Sequence, residues 1–157
     1  MKTIIKALFI AAFLIHPLYA LNIESAQSFI DYAKKVVKEI TPQELHRMII
    51  KSDEEDYQFY LVDIREPDQI GHGEIFHMDQ IKITRGYLEF KIENKIPDKN
   101  ANIVVYCCTG KRGILAAKTL KDMGYKNVVS LQGGIRHWVE SGLPLDTVYG
   151  EMVYKCK

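Results

Sequence analysis

This chain is short of several things, and each shortage removes a class of protein. Its three cysteines, two of them adjacent, are too few for a disulfide framework. Neither charge sign dominates: 21 Lys and Arg stand against 20 Asp and Glu, a net +1. Nucleic acid is therefore not an expected partner, because it would call for a basic excess on one face. Long apolar runs are missing too. The run Ala7–Ile15 falls short of the roughly 20 residues that cross a bilayer of about 30 Å. What remains is 157 residues, 47% hydrophobic and 26% charged, which suits one folded domain and excludes a disordered or multi-span chain.

The first twenty residues read as an export signal. Lys2 and Lys6 make a positive start, Ala7–Ile15 an apolar core, Pro17 a break, and Leu18-Tyr19-Ala20 a cleavage edge. The alternatives are an uncleaved anchor and an ordinary buried helix. No cysteine lies near the edge, so lipid attachment is not expected. Export implies a periplasmic or secreted protein with no stable membrane insertion after cleavage. It also puts Cys107, Cys108 and Cys156 in an oxidising compartment.

From Ile23 through Ala26, Phe29, Ile30, Ala33, Val36 and Val37 to Ile40, apolar residues recur at three- and four-residue steps, predicting one amphipathic helix. Thr41-Pro42-Gln43-Glu44 then supplies a cap, a first-position proline and a capping-box acid for a second helix to about Lys51. Strands are expected at Phe59–Val62, more weakly at Gln80–Ile83, most clearly at Asn102–Tyr106, and again at Asn127–Leu131. Helical stretches lie between them at 86–94 and 113–123, and a last helix runs from Gly133-Gly134 through Trp138. This alternation predicts an α/β domain: a central, mainly parallel sheet with helices on both faces, plus an extra N-terminal helix.

The chemistry is concentrated in Tyr106-Cys107-Cys108-Thr109-Gly110-Lys111-Arg112-Gly113. A buried strand ends, a thiol follows at once, and a glycine-containing loop enters a helix. In parallel sheets ligands bind beyond the carboxyl ends of strands. A helix N-terminus presents free N–H groups and partial positive charge, which favour anions and make thiols there more nucleophilic. Cys107 is thus the candidate nucleophile, with Lys111 and Arg112 adding positive charge for an anionic co-substrate. Cys108 is expected to point away from the loop interior, and Cys156 to be incidental or paired with another exposed thiol.

Four segments in this order resemble the single-domain rhodanese family of sulfurtransferases over about residues 40–145: Leu61–Glu66, Ile83–Phe90, Tyr106–Gly113 and Ser130–Trp138. The resemblance implies that Cys107 carries a persulfide, cradled by N–H groups of residues 108–112. It implies that Cys108, Thr109, Gly110, Lys111 and Arg112 form the substrate loop for a small anionic donor such as thiosulfate. Asp63 and Arg65 look like a structural pair, and Arg85 either lines the pocket or forms a surface ion pair. No metal or organic cofactor is implied, and the second substrate is a thiol or cyanide. Two departures stand out. Cys108 replaces the larger or charged residue usual after the catalytic cysteine, which raises the chance of thiol exchange at the persulfide. Phe76-His77-Met78-Asp79 replaces the commoner Pro-Gly-Ala after the Gly71–Ile75 turn. The implied division is a signal at 1–20, an N-terminal helix at 21–39 that could dock on a protein partner, the rhodanese-like domain at 40–145, and a C-terminal tail at 146–157.

Rival chemistries find less support. His72 and His77, with Glu74 and Asp79, lack the tight paired spacing of zinc ligands. Cysteine phosphatases and arsenate reductases share the loop logic, but phosphatases place Arg six residues after the Cys, and Arg112 is five after Cys107. A non-catalytic sulfide carrier or protein-binding module remains the other reading.

Overall fold

The computed structural model describes residues 25–54 and 57–153. The proposed export signal and Cys156 lie outside them. Helix α1 spans Ala26–Val36, capped by Ser25, whose Oγ accepts the Ser28 N–H at 3.3 Å. Its stripe turns Ile30 and Ala33 inward. The stripe does not continue as helix to Ile40. Val37 is extended (φ −114°, ψ 129°), and Lys38–Ile40 forms strand β1, paired in parallel with Asn127–Leu131. The β-branched pair Val36-Val37 is a poor helix former, and the free edge of the sheet offers Lys38–Ile40 a full set of backbone partners. The sheet therefore starts at Lys38, inside the stretch read as a helical arm.

Helix α2 (Pro42–Glu54) begins as the capping box predicts. The Glu44 N–H donates to Thr41 Oγ1 at 3.2 Å, and the Thr41 N–H to Glu44 Oε2 at 2.7 Å. That backbone bond, with the Thr41 hydroxyl, holds the Glu44 carboxyl below its ordinary range. There follow β2 (Tyr60–Asp63), a short α3 (Pro67–Ile70), β3 (Gln80–Lys82), a 3₁₀ turn (Arg85–Tyr87) running into α4 (Leu88–Lys95), β4 (Asn102–Tyr106), α5 (Lys111–Asp122), β5 (Asn127–Leu131) and α6 (Gly134–Glu140). The segment Leu145–Met152 is not simply a tail: β6 (Leu145–Thr147) and β7 (Gly150–Met152) form an antiparallel hairpin, tied to the body by a bridge between Glu74 and Asp146.

The five-stranded sheet is parallel throughout, in the order β1-β5-β4-β2-β3. Side chains alternate across it as the pleat requires. Ile103, Val105 and Cys107 pack with Ile30 and Ala33 of α1, Leu88 and Ile92 of α4, and Ile114, Ala117 and Leu120 of α5. Val104 and Tyr106 face the other way, toward Leu45 of α2 and Ile135 and Trp138 of α6. Helices thus cover both faces, as expected. From β2 the chain moves outward to β3, and from β4 outward on the opposite side to β5. The loops after β2 and β4 therefore diverge, and a crevice opens between them at the carboxyl ends of adjacent strands.

Candidate active site

Three loops meet at that crevice. The β4–α5 loop leaves the sheet at Cys107 and closes on Gly110, whose left-handed backbone (φ 81°) turns the chain into α5. The β5–α6 turn lies against it: the Ile135 N–H donates to Cys107 O at 2.9 Å and the Arg136 N–H to Cys108 O at 3.0 Å. Gly134, at φ 62°, has no room for a side chain, because a Cβ would collide with the Cys107 carbonyl oxygen. The third loop follows β2 and contains Arg65 and α3.

Arg65 holds this third loop. Its Nη2 meets Asp63 Oδ2 at 2.7 Å and its Nε reaches both Asp63 oxygens at 3.0 Å. The remaining donors reach the carbonyls of Gln69 and Gly73, at 3.1 and 3.0 Å. Asp63 is 0% and Arg65 3% exposed. Burial works against the guanidinium's charge, but the Asp63 hydrogen bonds and charge outweigh it and raise the Arg65 pKa above the ordinary value. Tyr106, beside Asp63 in the register, is pushed well above its ordinary value, chiefly by burial. The Asp63–Arg65 pair is therefore a buried brace for the loop.

The two adjacent thiols part company. Cys107 Sγ has no exposed surface, and the N–H that reaches it, at 3.3 Å, belongs to Gly113. That donor lies one residue beyond the cradle of 108–112 expected from the sequence. Cys108 is half-buried and points away, as expected, toward Gln69 and Arg112. Arg112 Nη2 donates to Gln69 Oε1 at 2.8 Å and lies 3.5 Å from Cys108 Sγ. Arg112 Nη1 and Glu66 Oε1 are 3.9 Å apart. Thr109 and Lys111 are exposed, with Lys111 opening α5. A pocket of about 620 Å³ opens between α3 and α6, with Cys108, Arg65, Ile135 and Val139 in its walls.

Arg85 does not reach this pocket. It pairs with Glu89 at 2.7 Å, donates to Thr119 Oγ1 at 3.2 Å, and borders a separate groove beside α1. The ion-pair alternative is the one realised. His72 sits on the rim of the pocket, whereas His77 is buried against Phe59 and bonded to Ser52 and to the Asp79 N–H. Gln69 is the site residue that sequence reading missed. Its one signal was Pro67 at a helix start, with Glu66 and Gln69 at capping-box positions.

A model of the rhodanese-like domain matches residues 41–141. The chain is 34% identical over 110 residues to a sulfurtransferase of Allochromatium vinosum, covering 70% of this chain and 95% of that protein. It is 32% identical over 115 residues to thiosulfate sulfurtransferase GlpE of Haemophilus influenzae, covering 71% and 97%. Among solved structures, a Wolinella succinogenes polysulfide-sulfur transferase superposes with a TM-score of 0.62 at 29% identity, over 74% of this chain and 82% of that one. A Rhodopseudomonas palustris protein of unknown function, described as a possible tyrosine phosphatase, superposes with a TM-score of 0.67 at 30% identity, over 78% and 95%. The chain belongs to the rhodanese-like family. It is a rhodanese-like sulfurtransferase.

Proposed function

We propose that this protein moves a sulfane sulfur from a small anionic donor, thiosulfate or a polysulfide, to a thiol or cyanide through a persulfide on Cys107. The observation that carries the reading is the place of Cys107: a thiol at the end of β4, with the Gly113 N–H of the first turn of α5 on its sulfur. With thiosulfate, the Cys107 thiolate attacks the outer sulfur, the donor's S–S bond breaks, and sulfite leaves with the bonding pair. The acceptor then attacks the outer sulfur of the persulfide and Cys107 leaves as thiolate. Cyanide yields thiocyanate in this step. Free N–H groups and partial positive charge at the start of α5 favour the anionic donor, and Lys111 and Arg112 add to that field.

A second reading draws on one observation. Cys107 has no exposed surface, whereas Cys108 faces the pocket beside Arg112; in that reading Cys108 is the thiol that meets the donor. Thiocyanate formation from thiosulfate and cyanide tests the reaction class, and Cys107→Ser separates the thiols: the Cys107 reading requires its loss. In the same assay Arg112→Gln is expected to raise KM for thiosulfate and flatten the salt dependence of the rate. Unchanged kinetics would leave Arg112 as a mere partner of Gln69. Export after removal of residues 1–20, and docking of a protein partner on 21–39, belong to the same proposal. The apolar faces of Phe29 and Tyr32 on α1, 54% and 55% exposed, suit such docking.

A further inference from the structure

The pocket between α3 and α6 is larger and more apolar than the proposed donor needs. Thiosulfate and cyanide are ions of a few atoms that gain nothing from hydrocarbon walls. Yet about 620 Å³ opens here, a size typical of small-molecule sites, and Ile135, Val139 and Leu145 line it. One end abuts the catalytic loop at Cys108, the residue after Cys107. Its charges are ordered along α6. Arg136 is rooted at the loop by its backbone bond to Cys108 O, while Glu140 lies one turn further on. Their side chains form no ion pair with each other or with any described residue, although i,i+4 spacing would allow one.

Resting on the sulfur-transfer reading, we propose that this pocket receives the acceptor, and that the acceptor is an aliphatic thiol whose far end is uncharged or cationic. The thiolate end lies toward Arg136 and Arg112, next to the sulfur-bearing loop. The hydrocarbon stem lies on Ile135, Val139 and Leu145, and the far end reaches the carboxylate of Glu140. Transfer is an exchange at sulfur: the acceptor thiolate attacks the outer sulfur of the Cys107 persulfide, the S–S bond to Cys107 breaks, and the products are an alkyl persulfide and the Cys107 thiolate. No oxidant or reductant is consumed.

Acceptor kinetics on the full protein test this, with thiosulfate as donor and sulfite release as readout. In a series of aminoalkanethiols from ethyl to hexyl, KM is expected to fall about three- to four-fold per added methylene until the pocket is filled. The mercaptoalkanoate of equal length should bind about two- to five-fold more weakly, and Glu140→Gln should remove that difference. Val139→Trp, which narrows the pocket where the stem would lie, should raise KM for the hexyl thiol relative to KM for cyanide by about ten-fold or more. Glu140 is on the surface, so its variant keeps the test open should the tryptophan impair folding. If KM is independent of chain length, or the Glu140 variant discriminates as the wild type does, the pocket assignment falls while sulfur transfer stands. If the wild type forms no thiocyanate from thiosulfate and cyanide, the sulfur-transfer reading fails and takes the pocket assignment with it.

Discussion

Replacing Arg65 with methionine keeps most of the side chain's volume and removes its five donors. The Asp63 carboxylate, 0% exposed, would keep the N–H of residue 65, now 2.9 Å away, and the Tyr106 hydroxyl, with no positive charge against its own. Breaking one partner of a buried ion pair costs about 3–5 kcal/mol, because the remaining charge is left without compensation. The carbonyls of Gln69 and Gly73 also lose their donors, at about 1 kcal/mol each. A loss of roughly 5–7 kcal/mol in a domain of this size lowers Tm by about 10–28 °C. Thermal and urea unfolding of Arg65→Met should show it. The double variant Asp63→Asn/Arg65→Met should recover about half, since an amide is cheaper to bury than a carboxylate. The variant should also raise KM for thiosulfate, because Arg65 anchors the loop that places Gln69 against Arg112. A loss under about 1 kcal/mol, or a double variant no better than the single one, would refute the brace.

His77 makes stability depend on pH. Its Nδ1 accepts the Asp79 N–H, so the proton sits on Nε2 and is shared with Ser52. Burial, only partly offset by Asp79 and Asp53, lowers its pKa below the ordinary 6.5. Stability is therefore full above about pH 6.5 and falls below it, as the unfolded chain takes up the proton first, by at most about 1.4 kcal/mol per pH unit. The loss levels off below the folded-state pKa. Urea unfolding from pH 8 to 5 should show this slope reduced in His77→Gln; equal slopes would exclude His77. Gly134→Ala should displace the Cys107 loop, destabilising the fold by at least about 2 kcal/mol and suppressing sulfur transfer, as thermal unfolding and thiocyanate assays would show. A fully active, equally stable variant would contradict the close approach. Ser130 Oγ is buried without a hydrogen-bond partner among the described residues, 3.0 Å from where a Cβ on Gly113 would lie. Ser130→Ala should raise stability by up to about 1 kcal/mol, and a clear loss would reveal a partner for the hydroxyl.

Much of this architecture is legible in the sequence where one signal dominates. β4 and β5 fall on the expected residues because continuous β-branched runs buried on both faces have few alternatives. The candidate catalytic loop is legible for the same reason: strand, thiol, glycine and helix follow one another within eight residues. β1 hid behind α1, because Val37 and Ile40 fit a helical stripe, and only the distant edge of β5 makes Lys38–Ile40 a strand. The β6–β7 hairpin depends on three-residue strands and a long-range bridge to Glu74, neither of which leaves a local pattern. Gln69 acts through its position beside Arg112 and Cys108, 43 and 39 residues along the chain. The Gly113 donor and the burial of Cys107 follow from how the loop closes against the β5–α6 turn, which spacing alone does not set.

The most direct test of the central claim is the intact mass of the full-length protein after thiosulfate treatment, with peptide mapping of the modified thiol. A persulfide on Cys107 predicts a gain of one sulfur atom, mapped to Cys107, removed by cyanide, retained in Cys108→Ala and absent from Cys107→Ser. A wild-type protein that gains no sulfur, or a gain that persists in Cys107→Ser and maps to Cys108, would contradict it.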